Sequence, residues 1–244
     1  MTTLLYQDEP KQIPKHSINA NMMNIKQFEK LISSYLVNGG VTSFLFGSSR
    51  SGKTTFLTKY MIPIFAKQTT VIGFLPNHVA SIYDEVKRDD IITVLPELRT
   101  DVIRDIVDFQ KAQMTRPDYK LLNDPPKWTF VLDDVTGDVF KNNSEVSRCY
   151  TTHRNLKISC ITCAQYVMMA KKESRANVNI SIYFKLNTPE ARLTVVKDHL
   201  PDLFISKNKK LSNEEKADIY QALTEKYIIV SDNLAGEYHI IPRD

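Results

Sequence analysis

Eight consecutive residues, Gly47, Ser48, Ser49, Arg50, Ser51, Gly52, Lys53 and Thr54, follow the pattern G-x-x-x-x-G-K-[ST]. A loop of this kind turns its backbone N–H groups inward around phosphate oxygens, and the glycines make that turn sterically open. The apolar run Val41–Phe46 before it reads as a buried strand, and Thr55–Met61 after it reads as a helix. The helix N-terminus then adds its partial positive charge to the anion site. In such a site Lys53 reaches the β- and γ-phosphates and the Thr54 hydroxyl ligates Mg²⁺, with Thr55 completing the phosphate-binding set. A nucleotide and Mg²⁺ are therefore the expected ligands.

Three further groups extend the chemistry. Phe130-Val131-Leu132-Asp133-Asp134 is an apolar strand running into two carboxylates. A phosphate-loop site needs an acid in the Mg²⁺ shell, and Asp133 at the strand end is the candidate, with Thr54 as its partner ligand. Asp134 is the candidate for orienting or deprotonating an attacking water. Gln165 follows the apolar run Ile158–Ala164. Ligands of open α/β sheets sit at the carboxyl ends of strands, so this amide points into the same crevice and can sense a γ-phosphate without adding charge. Arginines complete the set: Arg154 precedes the glutamine strand and Arg175 the next one, with Arg50 and Arg148 also present. A cation delivered to the transferring phosphoryl group often comes from a neighbouring subunit.

The elements that must position these residues alternate. Ile25, Phe28, Leu31, Ile32 and Leu36 recur at helical spacing and stop at Gly39-Gly40. Thr70–Leu75 and Ile91–Leu95 read as strands, Arg99–Gln113 as an amphipathic helix, and Met114–Lys127 as a proline-marked connection. Ser144–Thr152 reads as a helix leading to the strand Lys157–Ala164, and Val178–Phe184 as a further strand. Ser212-Asn213-Glu214-Glu215 is a helix-opening signature. The end of the chain reads as a hairpin, Tyr227–Val230 and Tyr238–Ile241 around Asn233–Gly236. Strands alternating with helices predict an α/β fold with a mostly parallel central sheet and helices on both faces. Residues 1–20 read as an N-terminal arm, 21–205 as the phosphate-loop (P-loop) core, and 206–244 as a C-terminal helix and β-hairpin extension of the same domain.

Bulk properties narrow the class. The 244 residues are 42% hydrophobic and 25% charged, as in ordinary globular domains. The net charge of +4 permits nucleic-acid contact without demanding it. No apolar stretch approaches the length of a membrane span, and the N-terminus lacks the apolar core of a secretory signal. Cys160 and Cys163 have CxxC spacing but lie within one strand, where positions three apart face opposite sides. With Cys149 they read as buried, unpaired thiols of a reducing compartment.

Taken together, the loop, the acidic strand Phe130–Asp134, the Arg-containing string Thr152–Ser159, the strand end Cys163-Ala164-Gln165 and Arg175-Ala176-Asn177 resemble the FtsK–HerA superfamily of ring-forming DNA-pumping ATPases. The likeness covers about Val41 to Phe184 and is narrowest toward the genome-packaging ATPases of large double-stranded DNA viruses and virophages. Many relatives have glutamate where this chain has Asp134. The resemblance implies a RecA-like P-loop NTPase fold and ATP hydrolysis that drives double-stranded DNA into a viral capsid. It also implies a homo-oligomeric ring, a pentamer or hexamer, with capsid protein as a further partner and the virion or viral assembly site as the location. Within it Arg154 is the preferred trans-acting finger and Arg175 the second choice. Duplex backbone contact falls to Lys171, Lys172 and Arg175, or to Lys207, Lys209 and Lys210. Two alternatives remain open: a cellular DNA-translocating or conjugation ATPase, and a monomeric nucleotide or metabolite kinase. Absence of an N-K-x-D string argues against a GTPase.

Overall fold

The apolar runs of the sequence become the middle of one twisted sheet, because strands buried on both faces need no alternation. The computed structural model describes residues 17–75, 83–84, 92–121, 126–133, 143–165, 172–206 and 210–243. Asp134, Lys171, Lys207 and Lys209 lie outside the described residues, as do the side chain of Lys172 and most of the N-terminal arm. In chain order the strands are β1 (Ser17–Ile18), β2 (Asn21–Met22), β3 (Thr42–Phe46), β4 (Thr70–Phe74), β5 (Ile92–Leu95), β6 (Trp128–Leu132), β7 (Ile158–Ala164), β8 (Ile180–Tyr183), β9 (Phe204–Ile205), β10 (Tyr227–Asp232) and β11 (Glu237–Pro242). Nine of them form one sheet in the order β2-β11-β10-β8-β3-β7-β6-β4-β5 among the described residues. The remaining two, β1 and β9, pair antiparallel, so the last residues of the expected arm are bound to the body of the protein.

From β8 across to β5 the strands are parallel. All six therefore present their C-terminal ends at one edge. The C-terminal hairpin breaks the pattern once: β10 runs antiparallel to β8, and β11 antiparallel to β10. Two reversals restore the direction, so β11 also ends at the edge where β3 ends.

Helices cover both faces. On one face Ile103, Val107, Tyr150, Val195 and Tyr220 pack against Phe44, Phe46 and Phe130. On the other Phe28, Ile32, Leu36, Met61 and Phe65 pack against Leu45, Val131 and Ile161. Cys160 belongs to the first core and Cys163 to the second, so the CxxC pair does face opposite sides. Burial pushes the Cys160 thiol up to about 12 and Cys149 well above its usual value, leaving both protonated and unreactive.

Several boundaries depart from the pattern reading. The loop helix runs Lys53–Phe56, widens to a π turn over Leu57–Met61, and resumes over Ile62–Ala66. Pro63 has no N–H to give the Lys59 carbonyl, which accounts for the widened turn. The helix expected to end at Thr152 continues over Ser144–Leu156 until Lys157 takes a left-handed φ of 53°. Arg154 is thus in a helix's last turn rather than a free turn. The amphipathic helix runs Thr100–Thr115, and the connection after it holds a 3₁₀ turn over Pro117–Leu121. The helix Pro189–Asp198 went unread, although Thr188 caps it by accepting from the Ala191 amide at 3.3 Å and Pro189 opens it. Ser212 and Glu215 form the expected capping box of the helix Asn213–Lys226.

A buried histidine, His153, and a half-buried one, His199, make the fold sensitive to acid. His153 and His199 each have Nε2 buried without a hydrogen-bond partner among the described residues. Burial holds both imidazoles below their ordinary value of 6.5, so the folded state resists protonation. The unfolded chain takes up these protons first, and stability is lost as pH falls through and below 6.5. Urea midpoints should drop between pH 7 and pH 5, and His199→Phe should flatten that slope. Equal slopes in the variant and the parent would show that His199 carries none of it.

Candidate phosphate-binding site

The loop begins where β3 runs out of sheet. The Gly47 amide still donates to the Ala164 carbonyl at 3.2 Å, and the Ser48 amide turns to the Lys185 carbonyl at 3.0 Å. Ser48 Oγ accepts from the Asn187 amide at 2.8 Å, tying the loop to the segment after β8. Two residues have left-handed backbones, Arg50 at φ 60° and Gly52 at φ 92°. Gly52 suits that conformation, whereas a β-carbon would strain it. Gly47 is required for space: a β-carbon there would stand 2.5 Å from Ser51 Oγ and 2.7 Å from Phe184 Cβ.

Lys53 opens the helix but folds back over the loop. Its ammonium is buried and donates to the carbonyls of Gly47 at 2.6 Å and Ser48 at 2.9 Å. Anionic oxygens entering the loop would be stronger acceptors than these carbonyls. Next to it, Thr54 Oγ1 donates to Asp133 Oδ2 at 2.9 Å. Tyr83 donates to the same oxygen at 2.8 Å. Asp133 is only 3% exposed, so a carboxylate there depends on such donors. A hydroxyl and a carboxylate are the hard oxygen ligands that Mg²⁺ takes, so Thr54 and Asp133 fit that ion. Among the described residues no cluster of three or more His, Cys, Asp or Glu side chains could hold a metal by itself. Substrate phosphates and water would have to complete such a shell.

Strand register brings Gln165 to the same place. Phe46 pairs with Ala164, so Gln165 lies level with Gly47. Leu132 pairs with Thr162, which puts Asp133 level with Cys163 on the other flank of β7. The loop, Gln165 and Asp133 therefore line one stretch of the sheet edge, with Gln165 between the other two. Thr55, Arg50, Ser51 and Gly52 line a cleft on the opposite side of the helix start.

The arginines behave differently. Arg154 and Arg175 precede β7 and β8, so both stand at the N-terminal edge of the sheet, a strand length or about 20 Å from the loop. Within one chain neither is brought to the site. Arg148 is committed to Asp108 at 2.8 Å and Glu145 at 3.4 Å. Two residues at the loop were missed by sequence reading. Tyr83 carries no local motif that marks it. Arg243 reaches the loop because β11 points that way: it donates to the Ser51 carbonyl, and its guanidinium lies 5.8 Å over the Phe184 ring.

No family model matches the chain, and no curated protein does either. Solved structures do. B204, the DNA-packaging ATPase from Sulfolobus Turreted Icosahedral Virus, superposes with a TM-score of 0.57 at 16% identity, over 83% of this chain and 97% of that one. The genome packaging NTPase B204 from Sulfolobus turreted icosahedral virus 2, in complex with ATP-gammaS, gives 0.55 at 14% identity, over 82% and 96%. The conjugation coupling protein TcpA of pCW3 gives 0.54 at 10% identity, over 85% of this chain and 62% of that one. What these proteins share with the chain is the fold: a mostly parallel sheet, flanked by helices, of ATPases of the packaging and translocase type.

The tightness of the loop is directly testable. Gly47→Ala must displace both Ser51 and Phe184, and should cost about 1–3 kcal/mol of stability by urea denaturation. A variant as stable as the parent would show that the loop has room the geometry does not suggest.

Proposed function

We propose that this chain is an ATP-hydrolysing motor that translocates double-stranded DNA into a viral capsid. The observation that carries the reading is the contact between Thr54 and Asp133, made behind a phosphate loop and beside Gln165. That arrangement joins a cation-binding hydroxyl, an acid and a neutral amide at one strand edge. The packaging and translocase character of the solved neighbours, and the nearly complete coverage of B204, support the same reading.

In this proposal the Gly47–Lys53 amides and the Lys53 ammonium hold the β- and γ-phosphates. Thr54 and Asp133 hold Mg²⁺, which supplies charge neutralisation at the phosphates when bound. Gln165 orients the water at the γ-phosphate, and Asp134 accepts its proton. The cation at the transferring phosphoryl group comes from a second copy of the chain, since Arg154 and Arg175 stand on the far edge of their own. A ring of subunits places that far edge against the next loop edge.

Two measurements test this. ATPase rate per subunit should rise steeply with protein concentration and rise again with linear duplex DNA. Mixing inactive Lys53→Ala and Arg154→Ala subunits should restore part of the activity, because each supplies what the other lacks. No recovery at any ratio, with both variants still assembling, would count against Arg154 acting in trans. Phosphate transfer to a small acceptor without DNA stimulation would overturn the motor reading.

A further inference from the structure

The side of the loop away from Asp133 is not closed. A cleft of about 410 Å³ opens there between the start of the loop helix and the C-terminal strand pair. Small-ligand clefts run roughly 300–1,000 Å³. Its floor is apolar, made by Phe184, Ile228 and Ile241, with Phe56 and Tyr60 along the helix wall. Its rim is polar: Ser51, Gly52 and Thr55 from the loop side and Arg243 from the end of β11. An apolar trough with a polar lip suits a flat ring joined to a charged group.

Polarity along the loop decides which part of a nucleotide would lie there. Thr54 faces Asp133, the residue after β6, and Gln165 lies on that side as well. The terminal phosphate belongs with those groups. Thr55, the next residue of the helix, faces the cleft. A triphosphate lying across the helix start with its terminal end toward Asp133 must leave its sugar-bearing end at Thr55, pointing into the trough.

Arg243 waits at that point. Its side chain is partly buried over Phe184, and burial lowers its guanidinium below the ordinary arginine value. It forms no ion pair among the described residues, while Glu225 beside it is taken by Lys185 at 2.7 Å. One of its donors is spent on the Ser51 carbonyl, in a loop where Ser51 Oγ is also buried without a partner among the described residues. A desolvated cation resting on a neutral carbonyl gains substantially when an anion arrives.

We propose that the cleft beside Thr55 receives the nucleoside of a bound nucleotide and that Arg243 holds the phosphate nearest the ribose. This rests on the reading of the Gly47–Thr54 loop as a nucleotide site. The C-terminal strand then becomes part of that site, supplied by the same chain.

Calorimetric titration of the full chain with ATP, ADP, AMP and inorganic tripolyphosphate tests it. Arg243→Met, which keeps the aliphatic stem over Phe184, and Arg243→Ala should each weaken ATP, ADP and AMP about 10-fold or more, the scale of a lost charged hydrogen bond. Tripolyphosphate, whose third phosphate reaches the same place, should weaken by a similar factor, and in the parent chain it should bind more weakly than ATP because nothing of it fills the trough. Unchanged AMP and tripolyphosphate affinities in Arg243→Met, or a parent chain that binds tripolyphosphate as tightly as ATP, overturn the proposal. If the parent chain bound neither ATP nor tripolyphosphate, with Lys53→Ala indistinguishable from it, the nucleotide reading itself would fall. Urea midpoints of both Arg243 variants check that the fold is retained.

Discussion

A carboxylate buried at the end of a strand has to be met by donors, and at Asp133 the donors come from far apart in the chain. Thr54 arrives from the helix after β3 and Tyr83 from the segment after β4, both on the same oxygen. An unpaired acid at 3% exposure would cost several kcal/mol or give up its charge. Satisfying it therefore locks the helix start, and with it the loop, against β6. The glycines at 47 and 52 then let the backbone close around the buried Lys53 ammonium. Loop, lysine and acid are one linked arrangement rather than three separate motifs.

What brings these parts to a common place is the direction of the strands. Six parallel strands put every C-terminal end on one edge, and β7 between β3 and β6 inserts Gln165 between loop and acid. The same rule sends Arg154 and Arg175 to the opposite edge. A parallel sheet thus separates the groups proposed to grip a nucleotide from the groups proposed to complete its hydrolysis. The two antiparallel pairings of the C-terminal hairpin bring Arg243 to the loop edge.

Much of this was legible because it is local. The loop pattern, the apolar runs and the Ser212–Glu215 capping box each act within a few residues, and the structure has them where the sequence reading put them. The hairpin also follows from local alternation and its turn. The misses have non-local causes. Where the helix Ser144–Leu156 ends depends on Lys157 accepting a left-handed conformation, which its side chain does not advertise. Tyr83 is defined by a hydrogen bond to a residue fifty positions on. Arg243 is near the loop only because of strand order, which periodicity cannot reveal. Helix Pro189–Asp198 is different: its Thr-Pro opening was readable, but its apolar side is narrow, with Val195 and Val196 its buried positions.

The widened turn in the loop helix adds one residue to what would otherwise be a regular spiral. One extra residue in an α-helix rotates everything beyond it by about 100°. The first turn, with Phe56 against Phe28 and Phe184, is oriented by the phosphate loop. The later turns, with Met61, Ile62 and Phe65, are oriented by the core. Both ends meet one core, Phe56 as well as Met61, Ile62 and Phe65, and the π turn over Leu57–Met61 sets the rotation between the loop-bound start of the helix and its later turns.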